Sequence, residues 1–247
     1  MSFDKKIVLI TGGSKGIGYA TAAEFLKLGA YVYICSRNLS TVNKAKDKLL
    51  RISNNISYLV GNLSKEKFVK KVFKTIIKNH KRIDIVVNCA GFSEAKKHED
   101  ISLENWYSMF DNNVTNTFLV SKEAIKFMKL KKFGKIINVS SIAGRNRSKL
   151  AGVHYSLSKS AIITLTRQMA SEVASYGINI NCIAPSQTET DMLKPFLNKK
   201  KRIELIKNIP IGRLAKPIEQ ANIILFLASE NSNYMIGSII DVNGGQI

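Results

Sequence analysis

Short apolar runs alternate with longer amphipathic stretches along the whole chain. The run at residues 7–10 is entirely apolar, which is typical of a parallel strand that is buried on both faces. A helical spacing of apolar residues follows over 19–28 and ends at Gly29, a residue type that commonly closes helices. The same reasoning predicts six further strands, at residues 31–36, 56–60, 83–87, 135–139, 178–184 and 236–242.

Helical patterns separate these strands. They cover residues 39–51, 65–80 with Ser64 as N-cap, 106–131, 152–176 and 217–229. The regular alternation, without linker or repeat, predicts a single α/β domain over 1–247: a Rossmann-type, doubly wound parallel sheet of about seven strands with helices on both faces. Residues 185–210 lack a strand pattern, and we expect 186–210 to form a mobile substrate lid with apolar cover from Leu193, Phe196 and Leu197.

The composition is that of a protein with an ordinary core. Hydrophobic residues make up 45% of the chain, no apolar run reaches the roughly 18 residues that span a bilayer, and the first residues lack a signal-peptide layout. We therefore expect a soluble, cytoplasmic protein that does not bind membranes.

Cys35, Cys89 and Cys182 are far apart and none is near a histidine at metal-binding spacing, so we expect reduced thiols, no disulfide and no metal site.

The formal net charge of +20 raises the question of nucleic-acid binding. Most of the basic residues are lysines spread over the predicted helices, and the densest run is residues 199–202. Nucleic-acid surfaces instead tend to gather arginine and aromatic residues on one face. We expect no nucleic-acid binding; the charge indicates either a solvated basic surface or a field that attracts an acidic partner or an anionic substrate.

A glycine-rich turn joins the first strand to the first helix, with the spacing G-x-x-x-G-x-G from Gly12 to Gly18. Strand, glycine turn and helix form the layout of a dinucleotide-binding unit, in which glycines let the backbone approach a pyrophosphate at the helix N-terminus. In such sheets, ligands bind beyond the carboxyl ends of the strands. The candidate residues that follow the other strands are Arg37, Asn62, 88–91 and Ser141.

The end of the second strand indicates which dinucleotide binds. An acidic residue there would accept a hydrogen bond from the adenosine ribose, but the chain has Ser36 and Arg37. Lys15 in the glycine turn adds a second cation. Two cations without a carboxylate favour a 2′-phosphate, and therefore NADP(H) over NAD(H). The alternative is that Arg37 is only a solvated loop residue.

Tyr155 and Lys159 are four residues apart on a predicted helix, so both side chains leave the same face. A phenol has a pKa of about 10, and a nearby ammonium group lowers it. Such a pair can act as the general acid or base of a carbonyl reductase.

Asn112, Asn113 and Asn116 fall inside the long helical pattern at 106–131. Asparagine is unfavourable in the middle of a helix. We therefore expect a local kink with exposed carbonyls at this place.

Together these residues resemble the classical short-chain dehydrogenase/reductase family, and within it the 3-oxoacyl-acyl-carrier-protein reductase-like branch. The resemblance covers nearly the whole chain and rests on Thr11-Gly12-x3-Gly16-x-Gly18, Asn88-Cys89-Ala90-Gly91, Asn113, Ser141, Tyr155-x3-Lys159, Pro185 with Thr190-Asp191-Met192, and the final stretch 236–245.

The resemblance implies four catalytic residues. Tyr155 would be the proton donor, and Lys159 would lower its pKa and hold the nicotinamide ribose. Ser141 would hydrogen-bond the substrate carbonyl, and Asn113 would bind a water that links Lys159 to solvent. The implied cofactor site consists of Gly12, Ser14, Lys15, Gly16, Ile17, Gly18, Arg37, Asn62, Leu63, Asn88, Ala90, Gly91, Tyr155, Lys159, Pro185, Thr188 and Thr190.

The leading hypothesis is an NADPH-dependent oxidoreductase that reduces a 3-oxoacyl-type ketone to a secondary alcohol, with an acidic acyl carrier protein as a possible partner. Tyr176 replaces one basic docking residue of that branch, whereas Lys132 matches another. One alternative is a dehydrogenase of a polar alcohol or sugar, favoured by Arg145, Arg147 and Lys149. A second is a non-catalytic, cofactor-sensing protein. The resemblance also implies a homotetramer.

Overall fold

The computed structural model describes residues 1–148, 150–193 and 198–246. Its strands are β1 (Ile7–Thr11), β2 (Tyr31–Ser36), β3 (Ile56–Val60), β4 (Ile85–Asn88), β5 (Gly134–Val139), β6 (Ile178–Pro185) and β7 (Ile239–Val242). Its helices are α1 (Gly16–Lys27), α2 (Leu39–Leu50), α3 (Glu66–His80), α4 (Leu103–Phe110), α5 (Asn116–Lys131), α6 (Val153–Val173), α7 (Lys199–Lys207) and α8 (Pro217–Ala228).

The strands form one parallel sheet in the order β3-β2-β1-β4-β5-β6-β7. The order reverses direction between β1 and β4, which is the switch point where such sheets leave a crevice for ligands. The predicted Rossmann-type fold with about seven strands is confirmed. Because parallel strands run the same way, all their carboxyl ends meet at one edge of the sheet.

Both faces of the sheet are covered by helices. Along β1, Val8 and Ile10 pack with α1, α2 and α8, whereas Ile7 and Leu9 pack with α3, α5 and α6. This alternation explains why the first strand reads as a continuous apolar run: successive side chains enter opposite layers of the core. The helices thereby hold the sheet rigid beneath its carboxyl edge.

Several predicted boundaries shift for identifiable reasons. Ser64 is not the N-cap of α3, because its N–H and hydroxyl both donate to the Asn62 Oδ1 atom, each at 3.0 Å. The last strand begins at Ile239 instead of 236, because Asn181 binds the Met235 carbonyl (2.8 Å) and the Ser238 N–H (2.9 Å). The segment predicted as a lid contains α7, whose N-cap is Asn198.

The predicted kink in the long helix is confirmed, but the exposed carbonyls are not: the carbonyls of Asn112 and Asn113 accept from the side chains of Asn116 and Thr117. A π-helical turn over Asp111–Thr115 separates α4 from α5. Such turns widen the helix and interrupt its regular hydrogen bonding. The turn brings the asparagines toward the carboxyl end of β4.

The three cysteines are free thiols. Among the described residues, no helix combines the length and the apolar character that crossing a bilayer requires. Within the same ranges, no group of three His, Cys, Asp or Glu side chains is arranged to hold a metal ion.

Candidate active site

A cleft of about 750 Å³ opens at the carboxyl edge of the sheet. It runs from the end of β2, past the glycine turn and β4, to the ends of β5 and β6. Most of the predicted site residues line it: Gly12, Ser14, Lys15, Gly16, Ile17, Arg37, Asn62, Leu63, Ala90, Gly91, Ser141, Tyr155, Lys159, Pro185, Thr188 and Thr190.

The glycine turn forms the floor of one half of the cleft. Gly12 has φ +69°, and a Cβ atom on it would lie 2.9 Å from the backbone of Ala90. Gly16 has φ +51°, and a Cβ there would lie 2.9 Å from the Thr190 Cγ2 atom. No side chain caps the N-terminus of α1, where Lys15 is the N-cap residue. Its terminal amide groups and positive dipole end suit an anionic phosphate.

Two of the predicted cofactor-binding residues, Asn88 and Gly18, are buried behind the cleft and do not line it. The Asn88 side chain is buried, and its Nδ2 atom donates to the Ser121 Oγ (2.9 Å) and the Asn138 Oδ1 (2.8 Å). Gly18 is also buried, and a Cβ there would lie 2.5 Å from the Gly12 carbonyl oxygen. The expectation that both line the cofactor cleft is corrected: Asn88 joins two strands to α5, and Gly18 lets α1 pack closely on the turn.

Asn113 is fully buried in the π-helical turn and does not line the cleft. Its Oδ1 atom accepts from the Phe92 N–H (2.7 Å), and its Nδ2 atom donates to the Phe92 carbonyl (3.0 Å) and to the Ser158 Oγ (2.9 Å). The side chain therefore fixes the cleft wall at Phe92 against the helix that carries Tyr155 and Lys159. The water link through Asn113 stays a prediction.

Ser141, Tyr155 and Lys159 come together at the β5 side of the cleft. Ser141 follows β5, and its hydroxyl accepts from the Ala143 N–H at 3.1 Å. The Lys159 Nζ atom donates to the Val139 carbonyl at 3.0 Å and lies 5.8 Å from the centroid of the Tyr155 ring. Tyr155 and Lys159 thus lie near each other in the early turns of α6, and Lys159 reaches the end of β5.

The electrostatics of this group differ from the expectation. Burial raises the pKa of Tyr155, and a hydrogen bond with Ser141 opposes that rise. Burial also lowers the pKa of Lys159 to about 8. Loss of solvation therefore outweighs, in the net pKa of the phenol, the lowering that we expect from Lys159. Tyr155 is therefore protonated at neutral pH.

The other end of the cleft is open and basic. Arg37 is exposed, and its Nη1 atom donates to the Asn112 Oδ1 atom at 2.5 Å. Lys15 is also exposed on the rim. Ser14 and Ser36 contact each other through their hydroxyl groups at 3.1 Å. This end thus presents two cations with hydroxyl groups beneath them.

Neither described cation of the loop after Ser141, Arg145 or Arg147, lines the cleft. Arg145 makes a two-pronged ion pair with Asp241, with N···O distances of 3.0 and 2.9 Å. Its predicted role toward substrate is corrected, because β7 already holds its guanidinium group. Arg147 is exposed and does not line the cleft, and Lys149 lies outside the described residues.

Sequence reasoning gave no role to several residues of the substrate-side wall. These are Phe92, Ser93, Leu150, Ala151, Gln187 and Met192. The one feature of the sequence that could have identified them is their position, since each follows the carboxyl end of β4, β5 or β6. Leu193 of the predicted lid also lines the cleft, whereas Phe196 and Leu197 lie outside the described residues.

His154 precedes Tyr155 and is fully buried. Its Nε2 atom lies 3.3 Å from the Glu94 Oε2 atom, and the Gly152 N–H donates to the Glu94 carbonyl at 3.2 Å. These contacts tie the start of α6 to the loop after β4. His154 therefore supports the wall of the cleft from behind.

The chain is similar to known proteins over nearly its whole length. The family model described as short chain dehydrogenase matches residues 6–201. The 3-oxoacyl-(acyl-carrier-protein) reductase of Chlamydia pneumoniae is 35% identical over 241 residues, which are 97% of this chain and 96% of that protein.

Two solved structures show the same architecture. A 3-oxoacyl-(acyl-carrier-protein) reductase from Brucella melitensis with bound NAD has a TM-score of 0.91 and 31% identity, with 100% of this chain and 93% of that chain covered. Levodione reductase has a TM-score of 0.93 and 26% identity, with 99% and 98% covered.

Proposed function

The chain belongs to the short-chain dehydrogenase/reductase family, and from that premise we propose that it is an NADPH-dependent reductase of 3-oxoacyl-type ketones. The observation that carries the proposal is the content of one cleft: Ser141, Tyr155 and Lys159 at one end and two cations at the other. The alternative of a cofactor sensor has less support, because a sensor needs no proton donor.

The cleft fits a nicotinamide dinucleotide. Gly12 and Gly16 leave room for a pyrophosphate, because a side chain at Gly12 would collide with the backbone of Ala90 and one at Gly16 with Thr190. The uncapped N-terminus of α1 supplies backbone amide groups that can bind the phosphates. Arg37 and Lys15 would bind a 2′-phosphate, which is why we propose NADPH although a relative has been solved with NAD. Toward the other end, Thr188 and Thr190 would contact the carboxamide, and Tyr155 and Lys159 the nicotinamide ribose.

When bound, the cofactor supplies a hydride to the carbonyl carbon of the substrate. Tyr155 gives its phenolic proton to the carbonyl oxygen, and burial keeps that proton on the phenol until it is needed. The Ser141 hydroxyl donates a hydrogen bond to the same oxygen as negative charge develops there. Lys159 lies beside the phenol as a cation that stabilises the tyrosinate left after transfer.

The proposed acyl-carrier substrate requires a docking surface. Lys132, the predicted docking residue, precedes β5 and therefore lies at the amino edge of the sheet, opposite the cleft. The six residues of β5 alone span about 20 Å. A carrier bound at Lys132 would have to reach the cleft across that length or serve the cleft of a neighbouring subunit, which is consistent with the proposed homotetramer.

The decisive experiment is an NADPH-oxidation assay over 3-oxoacyl thioesters, diketones and keto-sugars. We expect turnover with the thioesters, and we expect Tyr155→Phe to reduce kcat by at least about 10²-fold while NADPH binding persists. Tyr234→Phe is the matched control, since this side chain is fully exposed. Full activity of Tyr155→Phe would refute the assignment. Turnover of keto-sugars alone would favour the polar-alcohol alternative.

A further inference from the structure

Gln187 presents an unpartnered amide in the cleft. Its main chain is fixed, because its carbonyl accepts from the Ala215 N–H at 3.0 Å. Its Oε1 atom is buried without a donor, and no side-chain hydrogen bond of Gln187 forms with any residue that the structure describes. Gln187 lines the cleft. Of the two polar atoms of its amide, only Oε1 is buried without a partner, so Nε2 is the accessible atom. The amide nitrogen is thus the end available to a ligand.

The position of Gln187 belongs to the substrate half of the cleft. Val139 is paired with Ile183 across β5 and β6, which brings Pro185 level with Ser141. Gln187 follows two residues later. β2, which leads to Arg37, is four strands away, or about 19 Å. The amide is therefore near the reacting carbonyl and far from the adenosine end.

The surroundings make a glutamine costly at this place. Phe92, Leu150 and Met192 line the same cleft with apolar groups, and Arg145 is already paired with Asp241. A buried amide oxygen without a donor loses its hydration and gains nothing in return. A leucine of similar size would avoid that cost, whereas the amide also brings an N–H group without a partner, so a hydrogen-bond acceptor in the cleft would recover part of the cost at Nε2.

We propose that Gln187 determines substrate specificity by binding the second oxygen of a 1,3-dicarbonyl substrate. Its Nε2–H donates to the ester or thioester carbonyl that stands two carbons from the ketone, while Ser141 and Tyr155 bind the ketone oxygen. A carbonyl oxygen only accepts hydrogen bonds, and the open end of the amide only donates. The inference rests on the proposed function and extends it to a requirement for the second carbonyl.

The test compares two ketones of equal length, a 3-oxoacyl thioester and a simple ketone that lacks the second carbonyl. For Gln187→Leu we expect kcat/KM to fall about threefold to tenfold on the thioester and to stay unchanged on the simple ketone. Gln187→Glu keeps the shape but loses the N–H, and we expect at least the same loss on the thioester. Gln168→Leu, on the exposed face of α6, is the matched control and should change neither value.

Four results would contradict the inference. Equal losses on both ketones would mean that Gln187 only supports the fold, and a parallel rise in the KM for NADPH would mean that it contacts the cofactor. An unchanged preference in both folded variants would leave the proposed function standing and refute this inference alone. A wild-type protein inactive on every 3-oxoacyl thioester would overturn the proposed function, and the inference with it.

Discussion

Burial acts in opposite senses on the two titratable side chains at the centre of the cleft. It raises the pKa of Tyr155 and lowers that of Lys159 to about 8, because loss of water disfavours the charged form of each. The phenol is therefore held as a proton donor, which suits reduction. Lys159 is still mostly protonated at pH 7, so it can stabilise the tyrosinate formed when the proton leaves.

At the adenosine end, the residue with the sharpest expected effect is Arg37. We expect Arg37→Ala to lower kcat/KM for NADPH by about 10- to 100-fold, because a hydrogen bond to a charged group contributes about 1.5–3 kcal/mol. The value for NADH should change little, since NADH has no 2′-phosphate. Steady-state kinetics with both cofactors check the prediction.

Arg51→Ala is the matched control for this substitution. Arg51 is exposed at the end of α2 and does not line the cleft. An equal loss with NADH and NADPH in Arg37→Ala would show that Arg37 acts on the shape of the cleft, through its bond to Asn112, and not on the phosphate.

At the scale of elements, the π-helical turn connects the parts of the chain that form the site. The Asn113 side chain connects three segments: its own turn, the wall at Phe92 and helix α6 at Ser158. A regular helix through Asp111–Thr115 would follow a different path and rotate the asparagines relative to β4. The turn therefore determines where Phe92 stands relative to Tyr155.

We expect Asn113→Ala to lower the free energy of unfolding by about 1–3 kcal/mol, because it leaves the partly buried Phe92 N–H without an acceptor. It should also reduce kcat, since the wall beside Tyr155 loses its anchor. Urea unfolding and steady-state kinetics measure the two effects. Asn54→Ala, in the exposed turn before β3, is the control and should be near neutral. A variant of wild-type stability would contradict the role given to the amide.

The sequence predicts best what depends on neighbouring residues. The strands, the glycine turn and the Tyr155–Lys159 pair follow from short-range periodicity and spacing, and the structure has all of them. The misplaced residues depend on distant partners or on strand orientation. Arg145 pairs with Asp241, which is 96 positions away in the sequence. Asn88 faces α5 and not the cleft, because the side chains of a strand alternate between the two faces of the sheet. Neither the ion pair of Arg145 nor the orientation of Asn88 can be predicted from the residues next to them in the sequence.

At the scale of the whole molecule, the net charge of +20 includes one dense basic run, at residues 199–202. The densest basic run starts α7, which follows Met192 and Leu193 of the cleft wall. Arg202 of this run is bound to Glu189, at 2.5 Å, between the cleft residues Thr188 and Thr190. The ion pair of Arg202 therefore holds α7 beside the cleft segment that contains Thr188 and Thr190.

This placement predicts that salt discriminates between two forms of one substrate. Raising the ionic strength from about 0.01 to about 0.15 M shortens the Debye length from about 30 to about 8 Å. We expect kcat/KM to fall about tenfold when an acidic carrier protein bears the 3-oxoacyl group, because steering by opposite charge is then screened. With the same acyl group on a small neutral thiol, kcat/KM should stay constant. Parallel salt profiles for the two substrates would show that the positive field has no part in substrate encounter.

A pair of double variants separates the local field from the total charge. Lys200→Gln with Lys201→Gln removes two exposed charges from α7, and Lys71→Gln with Lys74→Gln removes two from the exposed face of α3. Both pairs lower the net charge equally, so a whole-molecule effect would weaken carrier turnover equally in each. Because Arg202 ties α7 to Glu189, between two cleft residues, we expect only the α7 variant to lose kcat/KM at low salt, by about threefold, and to show a flatter salt profile. Equal losses in the two variants would assign the attraction to the molecule as a whole and not to α7.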